Sequence, residues 1–355
     1  MCPLSSSSTP TTSECRGGSE SKSCHLEHRD ARSEVTRQII RAPIPPPPAV
    51  AGGTADFKRF KFDDLVGATD NFSSAKRIWS VGSATIYKGR FRGQEVLVKK
   101  FNCSPTSTIL QGFMDLAVLE HKNVVRCKGY CIEEKAILVY EDMPNRRLDT
   151  FINYFHLLPR NTRVELSLYW SSCFQVIKGI AKGVSYIHEK FMPWGDPFSG
   201  GLKPSDILMD SDWNPKIITI GISRVIEKSA EARAVQELVP MGYRAHGYVV
   251  SGEASVDSDV YSCGLIVLEI ITGSSFSQEG QRTDFKSLID HAWVWYKTLK
   301  EKELEDPILS CYLRRIRSCI KLATYCIKEN PGDHPTMEVV LDFVNDRIVQ
   351  EPAPT

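Results

Sequence analysis

The spacing of apolar residues divides the chain into a strand-rich part followed by a helix-rich part. Short runs in which apolar and polar residues alternate predict β-strands in the first part. These runs lie at residues 86–89, 95–99 and 136–140. Two helices are also predicted there, one with Asp63 as its N-cap and a short one at residues 114–119. The pattern therefore predicts a small, mostly β lobe that begins near Phe57 and ends at about residue 142.

Apolar residues in the second part recur every three or four positions, which is the spacing of one face of an α-helix. In the first such segment they are Phe174, Ile177, Ile180, Ala181, Val184 and Ile187. The predicted helices span residues 171–188, 256–272, 285–300, 313–327 and 337–348. We therefore expect a larger, helical lobe at about residues 143–347.

Both ends of the chain lack these patterns. Residues 1–56 are rich in Ser, Thr, Pro and Gly, so they cannot bury enough apolar surface to fold and are expected to form a disordered tail. Residues 348–355 are expected to form a short C-terminal tail. Cys2 follows the initiator Met, and because position two is not Gly, S-acylation of Cys2 is the only lipid anchor considered there. One lipid alone would anchor the chain weakly.

Composition and charge narrow the function classes. The 355 residues carry a formal net charge of +1 and 42% of them are hydrophobic, which favours neither nucleic acid nor an anionic membrane as a partner. The eleven cysteines are scattered, without a CxxC pair or zinc-type spacing, so we expect reduced thiols as in the cytosol. No apolar run approaches the ~18 residues of a membrane span, so no transmembrane segment is expected.

The most specific motifs lie between residues 199 and 224. They are LKPS at residues 202–205, ILMD at 207–210 and NPKI at 214–217. These motifs resemble the catalytic-loop and metal-loop hairpin of plant receptor-like kinases. IEEKAILVYE at residues 132–141 and PTM at 335–337 resemble the cysteine-rich and S-domain branches of that family. The resemblance extends from about Phe57 to Arg347 and implies the α+β, two-lobed protein-kinase fold.

The resemblance also shows where the chain departs from an active kinase. In the family, the H-R-D triplet supplies the aspartate that accepts the substrate proton, and the D-F-G triplet holds a Mg²⁺ ion. The residues in these two triplets here are Ser199, Gly200, Gly201 and Thr219, Ile220, Gly221. Asp206 replaces the asparagine that binds a second Mg²⁺. Loss of a general base alone costs ~10²–10⁴ in rate, so we expect impaired catalysis.

The phosphate-binding loop departs from the family in the same direction. Three glycines let the backbone close over ATP phosphates, and Trp79, Val81 and Ala84 take their places, with Gly82 left as a neighbour. Leu97 stands where relatives carry Ala against the adenine ring. We expect both changes to weaken nucleotide binding, since packed sites tolerate added methylene groups poorly.

Other positions keep the family's nucleotide-binding character. Lys99 matches the strand lysine that contacts phosphates, and Asp115 is its expected acidic partner, with Glu120 as the poorer alternative. Ile86 and Leu208 complete the vestigial nucleotide-binding set. Only Asp206 is left as a vestigial metal ligand, so no cofactor is expected, although weak binding of ATP and Mg²⁺ stays open.

A structural ion pair of the family is also changed. Gly247 and His334 replace the glutamate and arginine of this pair, while Asp259 keeps the position that braces the catalytic loop. Removing one partner of a buried pair is costly, whereas removing both is nearly neutral. The double loss is what we expect of a kinase fold that is kept without its activity.

Taken with the resemblance, these departures imply a receptor-like cytoplasmic pseudokinase in plant signalling. Its expected partners are other proteins, namely active receptor-like kinases or immune receptors, which would bring it to the inner face of the plasma membrane. Two alternatives stay open. One is a slow serine/threonine kinase that uses Lys99, Asp206 and a displaced base such as Asp196. The other is a sensor that binds ATP without transferring phosphate.

Overall fold

The secondary structure separates into a sheet and a set of helices along the chain. The computed structural model describes residues 57–81, 84–102, 104–145, 147–157, 163–191, 202–218, 243, 245, 255–274, 285–301 and 307–345. The strands are β1 (Lys58–Arg59), β2 (Arg77–Val81), β3 (Ala84–Phe91), β4 (Gln94–Phe101), β5 (Cys127–Cys131), β6 (Ile137–Glu141), β7 (Ile207–Met209) and β8 (Pro215–Ile217). The α-helices are α1 (Phe62–Ala68), α2 (Ser107–Ala117), α3 (Leu148–Leu157), α4 (Arg163–Phe191), α5 (Val256–Thr272), α6 (Phe285–Glu301), α7 (Pro307–Cys326) and α8 (Met337–Val344). This order confirms the expected β-rich lobe followed by a helical lobe.

The first six strands form one sheet in the order β1-β5-β6-β4-β3-β2. Neighbouring strands are antiparallel, except for the parallel pair β1 and β5. Strand β4 lies inside the sheet and places Lys99 opposite Leu138 of β6 and Ile86 of β3. Because side chains two positions apart share a face of a strand, Leu97 and Lys99 face the same side of the sheet.

Apolar side chains cover both faces of this sheet. One face forms a small cluster with α1 and the residues before it. Its members are Phe60, Leu65, Val96, Val98, Cys131, Ile137 and Val139. The other face, which carries Leu97, belongs to the larger core that continues into the helices. Burial on two faces explains why the middle of β4 is a continuous apolar run instead of an alternating one.

Helix α5 is the most buried helix of the second part among those described. Every residue from Ser258 to Thr272 is buried. Ser255 caps its start by accepting a hydrogen bond from the Ser258 N–H at 3.3 Å, and the Ser258 hydroxyl accepts one from the Ser255 N–H. The helix ends at Gly273, whose φ of 67° lies in the left-handed region that favours glycine. Helices α4, α6 and α7 pack around it.

Strands β7 and β8 form a separate antiparallel hairpin. A one-turn 3₁₀ helix, Pro204–Asp206, leads into β7. Asp210 holds the turn between the strands, because its Oδ1 accepts hydrogen bonds from the N–H groups of Asp212 at 2.9 Å and Asn214 at 2.8 Å. This hairpin fixes the position of Asp206 relative to the sheet.

The predicted N-cap of helix α1 is wrong. The helix begins at Phe62 after Lys61, which supplies no capping side chain, and Asp63 lies inside its first turn. The Phe62 N–H instead donates a hydrogen bond to the Glu133 carboxylate at 2.8 Å. Glu133, a residue distant in sequence, therefore caps the helix in place of Asp63.

Several predicted helix boundaries also need correction. The helices predicted to begin at residues 114, 171 and 313 begin earlier, at Ser107, Arg163 and Pro307. Helix α2 starts where Thr106 caps it, by accepting a hydrogen bond from the Ile109 N–H at 3.1 Å. Helix α8 ends at Val344, short of residue 348, and α3 was not predicted. The predicted tails, residues 1–56 and 348–355, lie outside the described residues.

Candidate active site

Lys99 of β4 is buried at the side of the sheet that faces the helical part. Its side chain is 2% exposed, and its Nζ lies 5.2 Å from the centre of the Phe101 ring. Burial lowers the pKa of Lys99 to about 8, with the positive charge of Lys203 acting in the same direction and the negative charge of Asp206 opposing it. The structure thus brings Lys99 close to Lys203 and Asp206, two charged side chains that are far from it in sequence.

Asp206 is the carboxylate of this cluster. It is 3% exposed, and its Oδ2 lies 3.2 Å from the Nζ of Lys203. Its Oδ1 is buried and has no hydrogen-bond partner within the part of the chain that the structure describes. The backbone is fixed on both sides, because the Asp206 N–H donates to the Lys203 carbonyl and the Asp206 carbonyl accepts from the Ile218 N–H, both at 2.9 Å.

The expected pairing of Lys99 with Asp115 stays a prediction. Asp115 lies on α2, half-buried, and accepts a hydrogen bond from the Gln111 side chain at 3.1 Å. Glu120, the alternative partner, is exposed beyond the end of α2, and its N–H donates to the Tyr186 hydroxyl at 3.0 Å. The acid that acts on the pKa of Lys99 is Asp206.

A cleft of about 360 Å³ lies beside this cluster, where the resemblance places a nucleotide. Leu97 of β4 and Leu208 of β7 line it, and each is 2% exposed. Ile86, the third apolar residue predicted for the nucleotide, is fully buried in the larger core, opposite Lys99. Leu97 and Leu208 therefore share one cleft, whereas Ile86 is not among the described residues that line it.

Trp79 and Arg147 line the same cleft. The Trp79 ring is half-buried, and the Arg147 guanidinium carbon lies 5.5 Å from its centre, within the range of a cation–π contact. An ion pair between Arg147 Nη2 and Asp149 Oδ2 at 2.8 Å holds the guanidinium in place. Sequence reasoning missed Arg147, because no motif marks it and its aromatic partner lies in a different strand.

The comparison with known protein families decides the identity of the fold. The family model described as protein kinase domain matches residues 75–344, which include strands β2–β8 and helices α2–α8. The chain belongs to the protein kinase family. That the cleft lined by Leu97 and Leu208 takes the place of the kinase nucleotide site stays a prediction from the resemblance.

Curated relatives of this kinase-family chain are plant receptor-like kinases. Cysteine-rich receptor-like protein kinase 6 of Arabidopsis thaliana is 32% identical over 309 residues, 85% of this chain and 44% of the relative. Cysteine-rich receptor-like protein kinase 28 of the same plant is 34% identical over 305 residues, 83% of this chain and 43% of the relative. G-type lectin S-receptor-like serine/threonine-protein kinase SD1-13 of Arabidopsis thaliana is 32% identical over 306 residues, which are 83% of this chain and 35% of the relative. The chain is a member of the plant receptor-like kinase family and spans less than half the length of these relatives.

Several positions that carry kinase chemistry lie outside the described residues. They are Gly82, Ser199, Gly200, Gly201, Thr219, Ile220 and Gly221, together with Asp196 and Gly247. Their residue types still limit their chemistry, because glycine at position 201 has no side chain and threonine at position 219 has no carboxylate. Of the other changed loop positions, Val81 pairs with Ala84 across the β2–β3 hairpin.

The kinase scaffold beneath the cleft keeps its buried polar contacts. Asp259 of α5 is 1% exposed, and its Oδ2 lies 2.9 Å from Nε2 of His188 on α4. His334, which the resemblance places at the position of the family's arginine, has its Nε2 2.8 Å from the carbonyl oxygen of Lys328. The loss of the family's ion pair stays a prediction, because Gly247 lies outside the described residues.

The described residues contain neither a metal-binding cluster nor a membrane-spanning helix. Within the described ranges, no group of three or more His, Cys, Asp or Glu side chains is arranged to hold a metal ion. None of the described helices is long and apolar enough to cross a bilayer. Asp206 remains the described residue at which a cation would be considered.

Proposed function

We propose that this member of the kinase family is a pseudokinase, which keeps the kinase fold, transfers no phosphate at a useful rate and works by binding other proteins. The observation that carries the proposal is the loss of two chemical groups from a chain that belongs to the protein kinase family. Gly201 replaces the general base and Thr219 replaces the principal metal ligand. Phosphoryl transfer relies on positioned groups and on Mg²⁺ to neutralise phosphate charge.

The geometry of the nucleotide cleft supports this proposal. Its volume of about 360 Å³ lies near the lower end of the range for small-molecule sites, ~300–1,000 Å³. Leu97, which the resemblance places against the adenine ring, lines the cleft together with Trp79 and Arg147. We expect these large side chains to hinder the binding of a full ATP molecule.

The charges around Asp206 disfavour a divalent cation. Lys203 forms an ion pair with the carboxylate, and the ammonium group of Lys99 lies close enough for its pKa to respond to Asp206. A metal ion at Asp206 would therefore meet two positive groups and only one carboxylate. A lone metal ion at Asp206 is therefore disfavoured, and we assign this cluster a role in holding the sheet and the hairpin together.

The partners we propose are other proteins in plant signalling, namely active receptor-like kinases or immune receptors. The support is family membership, because the relatives are named as receptor-like kinases and this chain matches less than half of their length. We place the protein in the cytoplasm, at the inner face of the plasma membrane when it is bound to such a partner.

One observation favours a second candidate function, a sensor that binds a nucleotide without transferring phosphate. Lys99 is still present and buried, and Asp206 Oδ1 has no hydrogen-bond partner among the described residues. Both are groups that a ligand could use. A slow serine/threonine kinase would need the same two groups and a displaced base in addition, so it requires more than the sensor does.

A thermal-shift titration with ATP and Mg²⁺ tests the proposal. With a dissociation constant no better than about 1 mM, ligand at that concentration stabilises the fold by only ~0.4 kcal/mol, or about 1 °C in Tm. The matched variants are Lys99→Ala and the exposed Lys76→Ala, which lies in an ion pair with Asp70 outside the cleft. A rise of several degrees that Lys99→Ala abolishes and Lys76→Ala preserves would establish the sensor instead.

A further inference from the structure

A second cleft, of about 430 Å³, lies between helix α4 and the β7–β8 hairpin. We call it the lysine cleft, after the four lysines that line it. They are Lys122, Lys178, Lys182 and Lys216. They come from three separate stretches of chain: the loop after α2, helix α4 and strand β8. The described residues that line this cleft and those that line the nucleotide cleft have no member in common.

The lysine cleft is strongly positive although the chain as a whole has a net charge of +1. Asp210 is the one carboxylate among its described lining residues. Both oxygens of Asp210 already accept hydrogen bonds from Asn214, and Oδ1 also holds the hairpin turn. Lys216 pairs with Glu141 at 2.7 Å, whereas Lys122 and Lys178 have no ion-pair partner in the described part of the chain.

The walls of the lysine cleft are held at a fixed distance from each other. The Asn123 side-chain amide donates to the Pro215 carbonyl at 2.8 Å, and the Ile217 N–H donates to the Asn123 carbonyl at 2.9 Å. Helix α4 approaches closely, because a Cβ at Gly179 would lie 2.5 Å from the Pro215 side chain. The lysines on either side of Gly179 are therefore presented by a rigid floor, with Lys178 and Lys182 four residues apart on one helix face.

A neighbouring residue senses the positive charge of this cleft. The pKa of His121 is lowered by its partial burial first, and then by the positive charges of Lys122 and Lys182. The His121 ring stacks on Tyr186 of α4, with 4.7 Å between ring centres. The positive charges of Lys122 and Lys182 therefore act on the same ring, although they come from different stretches of the chain.

We propose that the lysine cleft binds a phosphate group, presented either by a small phosphorylated molecule or by a phosphorylated side chain of a partner protein. Ammonium groups suit a compact, doubly charged anion that can be approached from several directions, whereas planar carboxylates are bound best by the arginine fork. No arginine lines the described cleft. The volume leaves room for the group that carries the phosphate. This site is independent of the pseudokinase proposal, because it shares no described lining residue with the nucleotide cleft.

Calorimetric titration of the full chain tests this inference with three probes: inorganic phosphate, phosphothreonine and threonine. We expect both phosphate compounds to bind and threonine not to bind. The double variant Lys122→Gln/Lys178→Gln should weaken binding about tenfold or more, because charge-assisted contacts are lost. The matched control is Lys297→Gln/Lys300→Gln, which removes the same charge from exposed positions on α6. A thermal scan checks that each variant is folded.

A second experiment tests phosphate binding without a variant. It measures, by mass spectrometry on the wild-type chain, how far a bound phosphate protects lysines from chemical acetylation. Phosphate should slow acetylation of Lys122 and Lys178 and leave Lys297 and Lys300 unchanged. Tighter binding of phosphothreonine than of inorganic phosphate would identify a phosphorylated side chain as the source, and equal binding would identify a free phosphate compound. The inference is overturned if neither phosphate compound binds, or if the two double variants weaken binding equally.

Discussion

The core around helix α5 and the nucleotide cleft differ in how their side chains are packed. In the core, Asp259 contacts His188 at 2.9 Å and Glu269 accepts a hydrogen bond from the Tyr243 hydroxyl at 2.7 Å. In the cleft, Leu97 and Leu208 border an open volume of about 360 Å³. The core is therefore closed around its polar side chains, whereas the cleft leaves space between the residues that line it.

This difference separates side chains packed against one another from side chains beside a cavity. Side chains of the core contact one another, so a change at one position is felt through lost packing or an unpaired polar group. A side chain that borders the cleft has fewer neighbours on its open side, so we expect its replacement to cost less unless it is buried, as Lys99 is. A substitution in the core should therefore lower the free energy of unfolding more than a substitution at the cleft.

The largest effect is expected from Trp170→Ala in the core of α4. Trp170 is 0% exposed and packs edge-on against Trp295 of α6. Its removal should lower the free energy of unfolding by ~3–5 kcal/mol, because a buried aromatic ring is replaced by a cavity. Urea denaturation followed by circular dichroism measures the change.

The matched control is Leu168→Ala, two residues earlier on the same helix, where the side chain is 64% exposed. This change should stay within about 0.5 kcal/mol of the wild type. If both substitutions lowered the free energy of unfolding equally, Trp170 would not be buried in the core as the structure has it.

A pH-dependent effect of intermediate size is expected from Lys99→Met beside the cleft. The folded pKa of Lys99 is about 8, below its ordinary 10.5, so burial of its charge costs stability in full below pH 8. Between these two values the unfolded state binds more protons, and the stability of the wild type relative to the variant rises with pH. The advantage of Lys99→Met should shrink by roughly 2–3 kcal/mol between about pH 7 and pH 10.

Urea denaturation at several pH values, with Lys300→Met as the exposed control on α6, makes the measurement. The control should differ from the wild type by the same amount at every pH. A difference between wild type and Lys99→Met that did not change with pH would mean that Lys99 is not held as a buried charge.

The sequence predicted the order of lobes and the long helices because their apolar periodicity is strong, as in α4 and α5. The prediction from sequence was wrong where a group distant in the chain determines the local structure. The N-cap of α1 was assigned to Asp63, but the capping carboxylate belongs to Glu133. Helix α3 was missed because its apolar residues were not recognised as helically spaced.

The candidate site was predictable to the extent that single residues fit a family motif. Lys99, Leu97, Leu208 and Asp206 were found in this way, and the structure places them around or beside one cleft. Arg147 was not found, because its role depends on a ring brought near it by folding. The same holds for the lysine cleft, whose four lysines come from three stretches of chain and form no motif.

The smallest effect is expected from Arg147→Ala in the cleft. The substitution removes the cation above the Trp79 ring, and the Arg147 side chain is 30% exposed. It should lower the free energy of unfolding by at most ~1 kcal/mol, the size of a partly exposed cation–π contact. Arg92→Ala, which removes a cation 5.2 Å from the Phe91 ring outside the cleft, is the control in the same urea experiment. A loss several times larger for Arg147 would show that the cleft is part of the scaffold.

Restoration of the two missing chemical groups tests the central claim most directly. Gly201→Asp and Thr219→Asp together return the base and the metal ligand, and phosphate transfer to a generic basic protein is measured with radiolabelled ATP. We predict activity near background, because Trp79 and Leu97 still prevent the alignment that supplies ~7–11 kcal/mol of barrier reduction. Turnover within about tenfold of an active receptor-like kinase, ~1–100 per second, would contradict the account and show a kinase silenced at only two positions.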